Sequence, residues 1–495
     1  MAAAADKAQF PTCFALAAEM KARGIPPNVT TYNTLLHALA HGGYAHPTLA
    51  VLDDMLALGI SPDATSFNQI IHAHRTEPSS ILAYILRRME ELGVPPNQTT
   101  FTHLITRFAD DKNLEMALQY LHAMKNHNLV PEVAAGQAVI LLAAREGYPK
   151  LALDLVTSFE EQTVRKVEDS VWVACLYASA QVLYGEGVLR CWYALVTDLA
   201  ISPDEGLCTL VLHTAARNGL PDLAADALRV LKVLDVPWEE HHLAPLFEAF
   251  CRAEQFQMAF NTLNIMRQSN VEPTSKTALP IVSIIQQKPD ILDDLWGCLD
   301  TMQREGKPIH IAAFNALLQG SILTQPMSRA LADYNTLKSR GLQLNAGTFH
   351  IFIDGCVSAD NVAFGELAFK QMKEGGFPPD HDMYGKMISL HLKQDVYDDA
   401  FVFLEEMQSA GFTPARHLYE AIVLKCASVG DARFLVAIDE MREVGHTVRP
   451  NLRAHARELN DSAEAAEQAA REKKLKAAPM DGSAQRFIET GGLMD

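Results

Sequence analysis

The apolar positions of this chain recur in one phrase: an aromatic residue followed by apolar residues three and four positions later. Tyr32/Leu35/Leu36 sets the pattern. It returns at Phe67/Ile70/Ile71, Phe101/Leu104/Ile105, Phe314/Leu317/Leu318, Phe349/Phe352/Ile353, Tyr384/Met387/Ile388 and Tyr419/Ile422/Val423. This spacing puts all three side chains on one face of a helix, so each phrase predicts the buried stripe of a first helix. A second phrase places a small residue seven positions before Met, as in Ala117/Met124, Ala259/Met266 and Ala400/Met407. Seven residues is close to two turns, which predicts a second helix packing one face on the first. A stop follows at Gly59/Pro62/Asp63, Gly93/Pro96/Asn97, Gly376/Pro379/Asp380 and Gly411/Pro414. Gly ends a helix, Pro cannot continue it, and Asp or Asn caps the next.

Two helices and a stop make one hairpin. Placing the aromatic fourth in each unit predicts starts at Val29, Ala64, Gln98, Val133, Asp169, Glu205, Glu240, Ser275, Ile311, Ala346, His381 and Arg416. The spacing of about 35 residues is that of stacked helical hairpins. The predicted fold class is therefore all-α, an α-solenoid of about twelve helix-turn-helix repeats over 29–450, with no place for a sheet. From Val133 to His310 the key positions hold Gly136, Trp172, Cys208, Leu243 and Ala278, which blurs the boundaries there. Residues 1–28 are predicted to be an N-terminal half-repeat: Phe14 to Asn28 reads as a second helix and stop (Met20, Gly24, Pro27) lacking its first helix, as if truncated. In 451–495, Leu452 to Ala478 is predicted to be a capping or solvated helix, and Pro479 to Asp495 a flexible tail.

With 48% hydrophobic and 21% charged residues, the chain has ample material for a core. Its 42 Lys and Arg against 60 Asp and Glu give a net charge of −18, which argues against non-specific phosphate binding and confines any nucleic-acid contact to local groups. The eight cysteines are scattered with no C-x-x-C pair, as expected of free, packed thiols in a reducing compartment. No apolar run approaches the length of a membrane span. The stretch Met1 to Phe10 reads neither as a secretory signal nor as an organelle transit peptide.

No H-E-x-x-H, P-loop, G-x-G-x-x-G or G-x-S-x-G motif occurs. His72/His74 and His241/His242 lack the third and fourth ligands that a metal requires, so no metal, cofactor or catalytic residue is expected. The stretch after Pro450 is too short for a catalytic domain.

The phrase Val29-Thr-Thr-Tyr-Asn-Thr-Leu-Leu, ending in Gly59-Ile-Ser-Pro-Asp63, closely resembles the pentatricopeptide repeat, and the resemblance covers roughly Phe14 to Pro450. The tetratricopeptide repeat, of similar period, looks for Trp and Gly early in its first helix, and the clear units lack both. The resemblance implies a right-handed superhelix whose first helices line a groove for single-stranded organellar RNA, one base per unit. It also implies that base choice rests on the fifth and last residues of each unit. Asn33/Asp63, Asn68/Asn97 and Asn315/Asn345 match familiar, pyrimidine-directed combinations. Physically, an Asn amide offers a base edge both a donor and an acceptor, and a neighbouring Asp or Asn can fix its orientation. Other units depart from the pattern: Val173, Ala244 and Leu279 occupy fifth positions and have no side-chain hydrogen-bonding group. Backbone contacts are expected from Arg145, Arg217, Arg252 and Lys393 at the thirteenth positions.

The resemblance implies a mitochondrial RNA-binding protein, expected as a monomer, acting in RNA processing, stability or translation. The alternative expectation is a protein scaffold, ribosome-associated or an assembly factor, that uses the same solenoid to hold protein.

Overall fold

The computed structural model describes residues 2–5, 7, 9–162, 166–274, 276–339 and 344–477. Among these are 27 α-helices and no strand, and no helix is long and apolar enough to cross a membrane. The chain divides into two compact units, Met1–Gln255 and Phe256–Asp495.

In the first unit, α1 (Ala2–Ala5) and α2 (Phe10–Ala22) precede the hairpins α3/α4 (Val29–His41, Ala45–Ala57), α5/α6 (Ala64–Ala73, Ser80–Glu91) and α7/α8 (Gln98–Asp110, Leu114–Asn126). Then come α9/α10 (Val133–Arg145, Pro149–Gln162), α11/α12 (Asp169–Gln181, Gly185–Trp192), α13/α14 (Glu205–Asn218, Pro221–Val233) and finally α15 (Glu240–Arg252). A π-helical turn, Tyr193–Asp198, prolongs α12. The second unit opens with α16 (Phe256–Gln268). It continues through α17/α18 (Leu279–Gln287, Ile291–Arg304), α19/α20 (Ile311–Thr324, Met327–Ser339), α21/α22 (Ala346–Ser358, Val362–Glu374), α23/α24 (His381–Leu392, Asp398–Ser409), α25/α26 (Arg416–Val429, Arg433–Glu443) and α27 (Pro450–Ala477).

Helices begin at all the predicted starts except one. Local chemistry explains why. Asn28, Asp63, Asn97 and Asn345 sit in extended backbone before α3, α5, α7 and α21, each accepting from the N–H three residues on and closing a capping box with Thr31, Ser66, Thr100 or Thr348. The exception is the eighth unit. Its predicted start, Ser275, lies outside the described residues, and α17 begins at Leu279. That start places Pro280 in the first turn, where its missing N–H costs nothing, whereas α15 accommodates Pro245 in its interior.

Helix ends are equally regular. Gly59 adopts φ +71°, its N–H bonds Leu56 O, and Ile60 N–H reaches back to Met55 O. The Met of the second phrase thus both packs the core and supplies the carbonyl that terminates its helix. Where Gly is absent, Asn128 and Asn270 take the left-handed conformation instead, with Leu129 and Val271 bonding Met124 O and Met266 O.

Tyr32, Leu35, Leu36, Phe314, Leu317 and Met407 are all buried. Within each unit the first helices pack in succession, α3 on α5, α5 on α7 and onward to α15, and α17 on α19 through to α25 on α27. In each unit they form a row, backed by the second helices. At the N-terminal edge, the short α1 packs on α2 and α3. At the other end α27 lies against α25 where a further first helix would lie. Residues 479–495, read as a tail, lie outside the described residues. All eight cysteines are free and seven are buried; burial pushes the Cys175 thiol up to about 11, which keeps it protonated and inert at neutral pH.

Candidate nucleic-acid interface

Each Asn pair is part of a three-residue latch between successive first helices. Asn33 Nδ2 donates to Asp63 Oδ1 and Oδ2 at 3.1 and 3.3 Å, while Ser66 Oγ donates to Asn33 Oδ1 at 2.6 Å. Asn68 repeats this with Asn97 (3.1 Å) and Thr100 (2.6 Å), and Asn315 with Asn345 (3.1 Å) and Thr348 (2.7 Å). The last residue of one unit is therefore the N-cap of the next helix, and its capping partner holds the fifth residue of the unit before. One N–H and one lone pair of each Asn amide remain for another partner. Burial alone would raise the Asp63 pKa, but hydrogen bonds from Ser66, Asn33 and Thr65 outweigh it and hold the carboxyl below its usual range. His350 makes a related contact, with Nε2 3.2 Å from Asp380 Oδ2.

A feature absent from the sequence reading lies beside the first two latches. The rings of His37 and His41 on α3, His72 on α5 and His103 on α7 form a ladder with successive centroid separations of 4.4, 5.9 and 5.5 Å. Burial, with repulsion from Arg75 and the neighbouring histidines, pushes His72 down to about 4. Burial likewise lowers His103, against the pull of Glu132. These two imidazoles are therefore neutral at physiological pH, each presenting one donor and one acceptor.

The expected backbone-contacting cations fare differently from one another. Arg217 and Arg252 converge on one carboxylate, Glu248, at 3.3 and 3.0 Å. Lys393 is held by Asp360 (2.6 Å) and Val357 O (2.7 Å). Arg145 has no ion-pair partner among the described residues and lines a cleft of about 1050 Å³ with Leu141, Val173, Tyr177 and Leu210. Here the fifth-position Val173 belongs to an apolar surface, not to a latch.

Comparison with known proteins points one way. A model described as pentatricopeptide repeat-containing protein matches residues 205–337. One for the pentatricopeptide repeat domain matches 15–75 and 84–142, and one for the PPR repeat matches 382–412; together they cover more than half of the chain. A mitochondrial pentatricopeptide repeat-containing protein of Arabidopsis thaliana is 21% identical over 285 residues, which are 52% of this chain and 45% of that relative. The chain thus spans about half of that protein's length. Among solved structures, maize PPR10 is similar at 17% identity and TM-score 0.34, covering 90% of this chain and 68% of that one. PPR10 in complex with an 18-nucleotide psaJ RNA element gives 16%, 0.33, 90% and 69%. The hairpin period, the capped first helices and the three matching models agree, and the chain belongs to the pentatricopeptide repeat family.

Proposed function

We propose that this protein binds single-stranded RNA along its row of first helices and acts in mitochondrial RNA processing, stability or translation. The observation that carries the reading is the pair of adjacent latches, Asn33/Asp63/Ser66 and Asn68/Asn97/Thr100, each with an amide donor and acceptor left over for a base edge. A pyrimidine edge accepts such a pairing, and the latch fixes the amide's orientation in advance. The mitochondrial relative supports the compartment, the process rests on the family resemblance, and the monomeric state is part of the proposal. The test is binding of short RNA pools by Asn33→Ala and Asn68→Ala proteins. Loss of one base-directed contact costs on the order of 1 kcal/mol, a several-fold affinity change for pyrimidine-containing RNA. Binding absent from every pool, or unchanged in both variants, overturns base reading.

A second reading has its own observation. Leu141, Val173, Tyr177 and Leu210 give the cleft around Arg145 and Asp204 a largely apolar lining, with Val173 where a base-reading array needs a polar group, and the net charge is −18. Both suit a protein partner, ribosome-associated or in assembly, better than an RNA backbone. A protein crosslinked to Tyr177 in cells, with no RNA crosslinked to α3 or α5, would favour it.

A further inference from the structure

We infer that Glu366, His391 and Asp399 form a binding site for a zinc-class divalent metal ion that clips α22, α23 and α24 together. The three side chains come from successive helices, and their ligand atoms lie within 4.8 Å of one another. His391 is 1% exposed, and its Nε2 is buried without a hydrogen-bond partner. That nitrogen sits 3.5 Å from Glu366 Oε1. The separation is long for a charge-assisted hydrogen bond, which runs to about 2.7–2.9 Å. It matches the edge of a tetrahedron whose ligands stand about 2.0–2.2 Å from a metal, which is about 3.3–3.6 Å. Asp399 Oδ2 lies 4.0 Å from the other ring nitrogen. Its carboxylate is exposed at the N-terminal turn of α24, so joining a metal held on Nε2 requires a rotation of that side chain toward Glu366, with water in the remaining positions.

Electrostatics favours the same reading. Among the described residues neither Glu366 nor Asp399 pairs with a Lys or Arg, so two carboxylates face one imidazole without a compensating cation. One nitrogen and two oxygens suit zinc, cobalt or a similar borderline ion more than magnesium, which prefers oxygen and keeps its water. A second cluster, the one carboxylate and two imidazoles of Glu205, His241 and His242, is disqualified by the tautomer of its buried member. There His242 Nδ1 accepts from the Glu239 backbone N–H at 3.3 Å, which leaves the proton on Nε2, the nitrogen facing Glu205.

The test uses the full chain stripped of metal with a chelator, titrated with Co²⁺ followed by visible absorption and with Zn²⁺ followed by thermal unfolding. One equivalent of Co²⁺ is expected to give d–d bands, and Zn²⁺ to raise the melting temperature where Mg²⁺ does not. Glu366→Gln and Asp399→Asn alter exposed side chains that leave the fold intact, and each is expected to weaken binding at least tenfold. Glu205→Gln is expected to change nothing. Absence of bands and of a thermal shift at millimolar metal overturns the site. So does affinity that survives both Glu366→Gln and Asp399→Asn.

Discussion

The fifth-position asparagines tie each first helix to the next. The proposed function gives them a second role, in which the remaining donor and acceptor of each amide meet a base. Asn68 is the more embedded, at 5% exposure, and its carbonyl accepts the buried Thr100 hydroxyl. Asn68→Ala is therefore expected to cost about 1 kcal/mol of folding stability in addition to its effect on RNA. The half-exposed Asn33→Ala should cost less, and urea unfolding of both variants checks the difference. The histidine ladder gives a pH dependence of definite sign. With His72 lowered from 6.5 to about 4 in the folded protein, the unfolded chain takes up the proton first as pH falls. The stability that its neutral form contributes is complete above about pH 6.5 and is lost between there and pH 4; His103 and His74 shift in the same direction. The urea midpoint of the first unit should therefore fall between pH 7.5 and 5, and His72→Gln should flatten that fall. The Asn pairs were visible in the sequence because they sit at fixed offsets in a unit. The hydroxyls of Ser66 and Thr100 and the ladder were not, since those contacts join residues of different helices.

At the scale of the element, helix starts and stops follow from single residues. Gly59 needs its left-handed φ, and a Cβ there would meet no atom within 4 Å. Gly59→Ala is thus expected to cost only the backbone penalty, about 1–2 kcal/mol. Met407 lies fully buried against its hairpin and provides the carbonyl that accepts from Phe412 N–H. Met407→Ala keeps that hydrogen bond but opens a cavity, at a cost of about 2–5 kcal/mol. Hydrogen exchange should show the loss concentrated in α23 to α26, because each hairpin of an array depends mainly on its neighbours. The 35-residue spacing projected a start at Ser275, outside the described residues, and α17 begins at Leu279 with Pro280 in its first turn.

For the molecule as a whole, charge sets the expected behaviour toward nucleic acid. A protein of net charge −18, with Arg217, Arg252 and Lys393 already engaged by acidic neighbours, neutralises few phosphates. Its RNA affinity should therefore fall only shallowly with salt compared with basic RNA binders, which a titration between low and physiological salt will show. The purified protein is also expected neither to hydrolyse nucleotides nor to cleave RNA, with or without divalent ions. Turnover that persists through repurification and vanishes on changing one residue would reveal a site that the motifs do not announce.

What the sequence determined by itself is everything carried by local periodicity: the helical class, the hairpin period, the caps Asp63, Asn97 and Asp380, and the buried stripe from Tyr32 to Val423. These follow from 3.6 residues per turn and from backbone groups that must be satisfied within a few residues of themselves. Only the tertiary structure decided which side chains of different helices meet. Stacking α3, α5 and α7 aligned four histidines, and packing α22, α23 and α24 brought Glu366 and Asp399 to a buried imidazole. A contact between helices depends on how side chains interdigitate at their interface, and no single segment's pattern encodes that.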